Sequence, residues 1–281
     1  MQLHALKHWL KLAESHPESS VQRVRLTEVY DVDAQASDHL WYRDAVPGFE
    51  LLDATAIASK YGRDGKSGAS YDSVVLSPRI FLPWLRSQLE NSGVRFERIG
   101  KVTALSELKY LGHDVLVNAS GSGSLLLTDV RDDNVMTDRT YVTVVKSHYK
   151  EAFVQRSSAQ YAYMFSRGDG TVAVGGISEP ACEAVRSVEE VRANILSRAH
   201  KILPEAFATY ESGSIEVVED PVGIRPLRAG GVRVEQEVLG GQNVVHVYGT
   251  TVGGYILSFG LAQEAAKLVD AAFMKVEKTV S

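Results

Sequence analysis

A single cysteine, Cys182, excludes an internal disulfide and suits a reducing compartment. There is no basic excess. Thirty Lys and Arg stand against 35 Asp and Glu, a net charge of -5 that argues against a nucleic-acid binder. No apolar run approaches the roughly 18 residues a membrane helix needs. The opening Met-Gln-Leu-His-Ala-Leu-Lys-His-Trp has no signal-peptide core, and Lys278-Thr279-Val280-Ser281 is no peroxisomal address. The cytoplasm is therefore the expected compartment. Eight scattered histidines and one cysteine lack metal-ligand spacing, so no metal is expected. With no Gly-x-Ser-x-Gly elbow and no Walker loop, hydrolase and phosphoryl-transfer chemistry start low.

What is present suits a globular protein: 281 residues, 44% hydrophobic, enough to bury a large core in one or two domains. Alternation over 21–32 predicts a strand. The stretch 61–70, with Gly62, Gly65 and Gly68, reads as a surface loop. Ser77-Pro78 is an N-cap followed by a first-turn proline, and Phe81, Leu85 and Leu89 then give one apolar stripe ended by Gly93. Residues 94–98 alternate like a strand. A compact apolar strand at 113–118 runs into the Gly/Ser turn at 119–123. Further strands are expected at 141–146, 171–174, 214–218, 232–237 and 244–248. Helices are expected at 188–203 and 257–278, the last facing inward with Leu257, Leu261, Ala265, Leu268, Ala272 and Phe273.

Three stretches can carry chemistry. Val222-Gly223-Ile224-Arg225-Pro226-Leu227-Arg228 sets Arg225 in an apolar strand, where a guanidinium needs an anion. Its planar fork suits a ligand carboxylate, although an internal salt bridge accounts for it about as well. Arg228 reads as a solvated edge residue. Next, Tyr248-Gly249-Thr250-Thr251-Val252-Gly253-Gly254-Tyr255 leads from a strand into a helix. Its glycines allow close backbone approach, and the helix start supplies N–H donors. A tight strand-to-helix turn explains one or two of the glycines without a ligand. Third, alternation in Tyr161-Ala162-Tyr163-Met164-Phe165 puts Tyr161 and Tyr163 on one face, either to bond a substrate or as core aromatics.

In this order the pieces resemble the D-amino-acid oxidase family, especially its fungal members. The resemblance covers most of the chain. It includes Trp41-Tyr42-Arg43-Asp44, Asp114-Val115-Leu116-Val117-Asn118-Ala119-Ser120-Gly121, Tyr163, Gly175-Gly176, Gly223-Ile224-Arg225-Pro226 and the block from Val245-His246-Val247-Tyr248-Gly249 to Ser258-Phe259-Gly260. It implies an α/β (α+β) fold of two lobes. One is an incomplete FAD-binding Rossmann-like lobe, about 77–135 plus 240–281; the other is a mixed-sheet substrate lobe, about 1–76 plus 136–239. It implies that Arg225 pairs with the substrate carboxylate and that Tyr163 positions it. Thr251, Val252, Gly253, Gly254, Tyr255 and Ile256 would wrap the ring of FAD. A hydride would leave the Cα of a small amino or carboxylic acid for the flavin, giving an imine that hydrolyses to a keto acid; oxygen would reoxidise the flavin to give H2O2.

The departures are as specific. No Gly-x-Gly-x-x-Gly occurs in residues 1–281, and the motifs align as though the chain began about 100 residues into the family pattern. Arg139-Thr140-Tyr141 stands where the family tends to read Arg-Gly-Gln, and Ile177-Ser178-Glu179-Pro180 where it often carries a tyrosine. Ile256 replaces a residue that is usually polar. Three functions are compatible with this pattern: a truncated D-amino-acid-oxidase-like flavoenzyme, a flavin-free isomerase, cyclase or epimerase of a carboxylated metabolite, or a non-catalytic paralogue. Loss of a first βαβ unit would bare sheet edge, so a homo-oligomer is expected.

Overall fold

A computed structural model describes residues 1–30, 40–61, 67–156, 161–210, 212–251 and 253–280. Ala5, Trp9 and Leu12 recur at i, i+4 and i+7, so α1 (Gln2–Ser15) buries a single stripe. That stripe packs on Phe81 of α3 (Pro78–Asn91), with Val21 and Phe259 beside it.

The strands form two sheets. In the larger, β1 (Gln22–Tyr30) runs antiparallel to β3 (Ser67–Val75) and parallel to β6 (Ala152–Arg156). Beyond β3 lies β2 (Glu50–Asp53), followed in the chain by α2 (Ala54–Tyr61). On the other side come β7 (Ala162–Ser166), β8 (Thr171–Pro180), β5 (Val135–Lys146) and β10 (Val222–Arg228), with β9 (Val217–Glu219) also on β5. One face is covered by α4 (Val188–Ile202), whose Val191, Ile195, Ala199 and Ile202 meet Met164, Val172 and Val174. Each of these Val, Ile and Met side chains contributes about 1.5–3 kcal/mol on burial, and the Ala199 methyl about 0.8 kcal/mol. Alternation then leaves Tyr163 and Phe165 on the opposite face of β7.

The smaller sheet orders β11 (Arg233–Leu239), β12 (Gln242–Tyr248) and β4 (Val115–Asn118). β12 is antiparallel to β11 and parallel to β4. The closing helix α5 (Gly254–Val280) crosses this sheet and meets α1 at Gly260, where a Cβ would overlap the Met1 carbonyl. This is a mixed α/β fold with two sheets. Among the described residues no helix is long and apolar enough to cross a membrane.

Three expectations do not hold. Residues 94–98 form no strand, because no neighbouring strand offers them a ladder; Val94 and Phe96 stay exposed. Within 61–70, Tyr61 ends α2 and residues 67–70 are buried strand, where Gly68 is required because a Cβ would come within 2.6 Å of the Glu28 carbonyl. Gly62 and Gly65 lie outside the described residues. Phe273 is 45% exposed, although Leu261 and Ala272 of the same helix are buried. Leu261, Leu268 and Ala272 already complete the i, i+7, i+11 stripe, so Phe273 falls beside it.

Candidate active site

Val222 and Ile224 face outward from β10, which turns Arg225 to the other face. The ladder places Arg225 directly opposite Asp138 on β5. Arg225 Nη2 donates to the Ser178 hydroxyl at 3.1 Å and lies 3.5 Å from Asp138 Oδ2. Ser178 in turn donates to the same Asp138 oxygen at 2.8 Å. The internal acid that the sequence left open therefore exists, at ion-pair rather than hydrogen-bond distance. It does not satisfy the guanidinium: Arg225 Nε is buried with no acceptor. A buried donor without a partner costs about 1–3 kcal/mol, so an acceptor brought to Nε binds with that cost removed.

Tyr163 stands three strands over, across β5 and β8. At about 4.8 Å per strand the backbones are about 14 Å apart, a gap that two long side chains converging from one face largely close. The Arg225 and Arg167 charges both act on the Tyr163 phenol, pulling its pKa down. Burial outweighs them, with the neighbouring Tyr161 adding to it, and pushes the phenol up to about 12. It thus stays protonated at neutral pH as a donor. Its ring stacks on Phe165 at 4.8 Å and 15° and lies against Gly175 and Gly176, where a Cβ would overlap it. The family-like Gly-Gly makes room for this phenol.

The turn before α5 follows β12. Gly249 at φ 84° sits where a Cβ would come 2.7 Å from Arg228 Cδ. Thr251 holds φ 55°, a left-handed conformation that is costly for a β-branched residue and concentrates at functional sites. Gly253 is buried and donates to the Thr250 carbonyl at 2.9 Å; Gly254 opens α5 with free space where a side chain would stand. Tyr255 is fixed on the α1 side: its carbonyl accepts the Trp9 indole N–H at 3.0 Å, and its ring meets Trp9 and Phe81 edge-on. Burial raises the Tyr255 phenol and the Arg167 charge opposes that, so Arg167 lies within electrostatic reach of both Tyr163 and Tyr255. Ile256 is 58% exposed, and Val252 lies outside the described residues.

Arg228 is not a solvated edge residue. Its Nε donates to Asp132 at 2.8 Å and Nη1 to the Gly231 carbonyl at 3.0 Å, because the strand carries it to the seam between the sheets. Asp132 also accepts the Tyr248 hydroxyl at 2.8 Å, and Arg233 donates to that hydroxyl at 2.9 Å. From Arg233 the chain continues through Glu237 to His246, which is fully buried. The Asn118 amide donates to His246 Nδ1 at 3.1 Å and to Ser124 at 3.2 Å, which assigns the ring proton to Nε2. This network escaped the sequence reading because its members are far apart, Asp132 and Arg228 by 96 positions.

Beside β4 opens a cleft of about 410 Å³, lined by Val102, Leu105, Leu116 and Val117 with Asn118 and Ser120 at its polar end. The residues present fit the ring end of a flavin: open space at Gly254 where a side chain would stand, the N-terminal end of α5, and this apolar cleft beside the smaller sheet. Apart from the glycine turn between β12 and α5, no strand–glycine–α-helix junction occurs among the described residues, and no group of three or more acidic, His or Cys side chains there could hold a metal.

This architecture is shared with oxidases and dehydrogenases of amino acids. The glycine oxidase of Geobacillus kaustophilus superposes with a TM-score of 0.74 at 18% identity, over 96% of this chain and 78% of that one. The L-proline dehydrogenase of P. horikoshii gives 0.73 at 10% identity, over 95% and 77%. The family model described as FAD dependent oxidoreductase matches residues 1–268, and the chain belongs to that family. It is 29% identical over 250 residues to a D-amino-acid oxidase of Fusarium vanettenii, covering 85% of this chain and 68% of the relative. It is 26% identical over 268 residues to one of Schizosaccharomyces pombe, covering 92% and 74%. A D-aspartate oxidase of Talaromyces thermophilus is 26% identical over 270 residues, covering 92% and 70%.

Proposed function

We propose that the chain is a D-amino-acid-oxidase-like enzyme that holds the carboxylate of a small D-amino acid on Arg225, with Tyr163 orienting it and FAD as cofactor. The observation that carries this reading is the buried Arg225 Nε with no acceptor, on the sheet face that Tyr163 shares. A carboxylate entering there meets a fixed cation and a neutral phenol that donates a hydrogen bond. Two such contacts set the acid end, so the Cα–H is presented in one orientation. Thr251, Gly253, Gly254, Tyr255 and Ile256 would hold the ring edge through backbone groups. FAD, when bound, supplies the two-electron acceptor for the Cα hydride. None of these residues must take or give a proton during that transfer.

The test is D-amino-acid-dependent peroxide formation by the FAD-supplemented protein, for wild type and Arg225→Ala. Loss of the guanidinium should lower kcat/KM by about two to four orders of magnitude, in line with about 3–5 kcal/mol for one partner of a desolvated charge pair. Unchanged turnover in Arg225→Ala removes this reading. Self-association belongs to the same proposal: β4 pairs only with β12 among the described strands, and Val117 within it is 46% exposed. A monodisperse monomer in sedimentation velocity would contradict that part.

A further inference from the structure

We infer that Asp138 selects the charge of the ligand at this site, admitting a single carboxylate and rejecting a second. The inference rests on the reading of Arg225 as the carboxylate anchor. Its basis is register. Asp138 is the direct cross-strand neighbour of Arg225, one strand spacing away, and cannot leave without breaking the β5–β10 ladder. Its carboxylate is held from a second side by the Ser178 hydroxyl, itself anchored on β8, so the negative charge points at the arginine rather than swinging to water. Both partners are largely sheltered, with side-chain exposures of 29% for Arg225 and 21% for Asp138.

The consequence is electrostatic. Asp138 already neutralises much of the Arg225 charge, yet makes only a 3.5 Å ion pair and leaves Nε open. One ligand carboxylate can take Nε while Asp138 keeps its place, because both Asp138 and Ser178 meet the guanidinium at Nη2, Ser178 at 3.1 Å and Asp138 at 3.5 Å. The trio of Arg225, Asp138 and the ligand then carries one net negative charge. A second carboxylate on the same ligand adds another negative charge beside Asp138, and the other cation that acts on Tyr163, Arg167, is already paired with Glu219 at 3.2 Å. Amino acids with neutral side chains are therefore favoured over acidic ones, and a ligand ammonium next to its carboxylate gains from Asp138.

The test measures binding of two probes, propionate and succinate, by isothermal titration to wild type, Asp138→Asn, Asp138→Ser and Arg225→Ala, with FAD present throughout. Wild type should bind propionate about tenfold more tightly than succinate. Asp138→Asn, nearly isosteric and able to keep the Ser178 contact, should tighten both acids and bring their affinities within about threefold of each other. Asp138→Ser should do the same, which separates loss of charge from loss of shape; thermal unfolding of each variant checks that it is folded. If Arg225→Ala loses both acids while neither Asp138 variant changes their ratio, the selectivity inference is wrong and the anchor stands. If Arg225→Ala binds both acids like wild type, the anchor itself is wrong.

Discussion

The carboxylate of Asp132 is the fastening between the two sheets: it accepts Arg228 Nε from β10 and the Tyr248 hydroxyl from β12, each at 2.8 Å. Asp132 is buried and Arg228 half-buried. The arrangement fixes where β10, and with it Arg225, stands relative to the turn that follows Tyr248.

Removing this acid leaves the half-buried Arg228 guanidinium without its carboxylate and the Tyr248 hydroxyl without its acceptor. Asp132→Ala should cost about 3–5 kcal/mol of unfolding free energy in urea, and Asp132→Asn less, because the amide oxygen still accepts one hydrogen bond. A loss below about 1 kcal/mol in the alanine variant would show that the pair contributes little.

The same contact has a pH signature. Burial alone would raise the Asp132 pKa. The hydrogen bonds from Arg228 and Tyr248 outweigh it together and hold the group near 2, against an ordinary value of 3.8. A folded pKa below the unfolded one stabilises above the unfolded value and loses that contribution as pH falls through the folded value. The contribution, about 2 kcal/mol, should be complete above pH 5 and lost between about pH 4 and 2. Acid unfolding compared between wild type and Asp132→Asn checks it: the variant should lack this part of the slope.

Gly175 makes a separate prediction. A Cβ there would overlap the Tyr163 phenol. Gly175→Ala should therefore displace the ring, cost about 1–3 kcal/mol of stability, and raise KM for the amino acid more than it lowers kcat. Stability and steady-state kinetics equal to wild type would mean the ring does not rest where the geometry puts it.

Much of the fold was legible because it is local. The Ser77-Pro78 start and the β7 alternation of Tyr161 and Tyr163 against Ala162 and Met164 follow from neighbours in sequence, as does the apolar stripe of α4. Residues 94–98 misled because alternation states only that a strand would have two faces, not that a partner strand is present. At the site, Arg225, Tyr163 and the glycine turn stood out by residue type. The roles of Asp138 and Ser178 did not, since a carboxylate and a hydroxyl in mid-strand look solvated until register brings them to a cation. Arg228 failed in the same way: its acid comes from a loop on the other side of the chain's middle.

In the proposed function, the guanidinium of Arg225 and the turn before α5 face one ligand-binding space. The most direct measurement follows the visible flavin absorption of FAD-supplemented protein as benzoate is added. The bands should shift and sharpen saturably in wild type, while Arg225→Ala should keep the flavin spectrum and lose the benzoate response. A flavin spectrum that stays that of free FAD, or a benzoate response that persists in Arg225→Ala, contradicts the account.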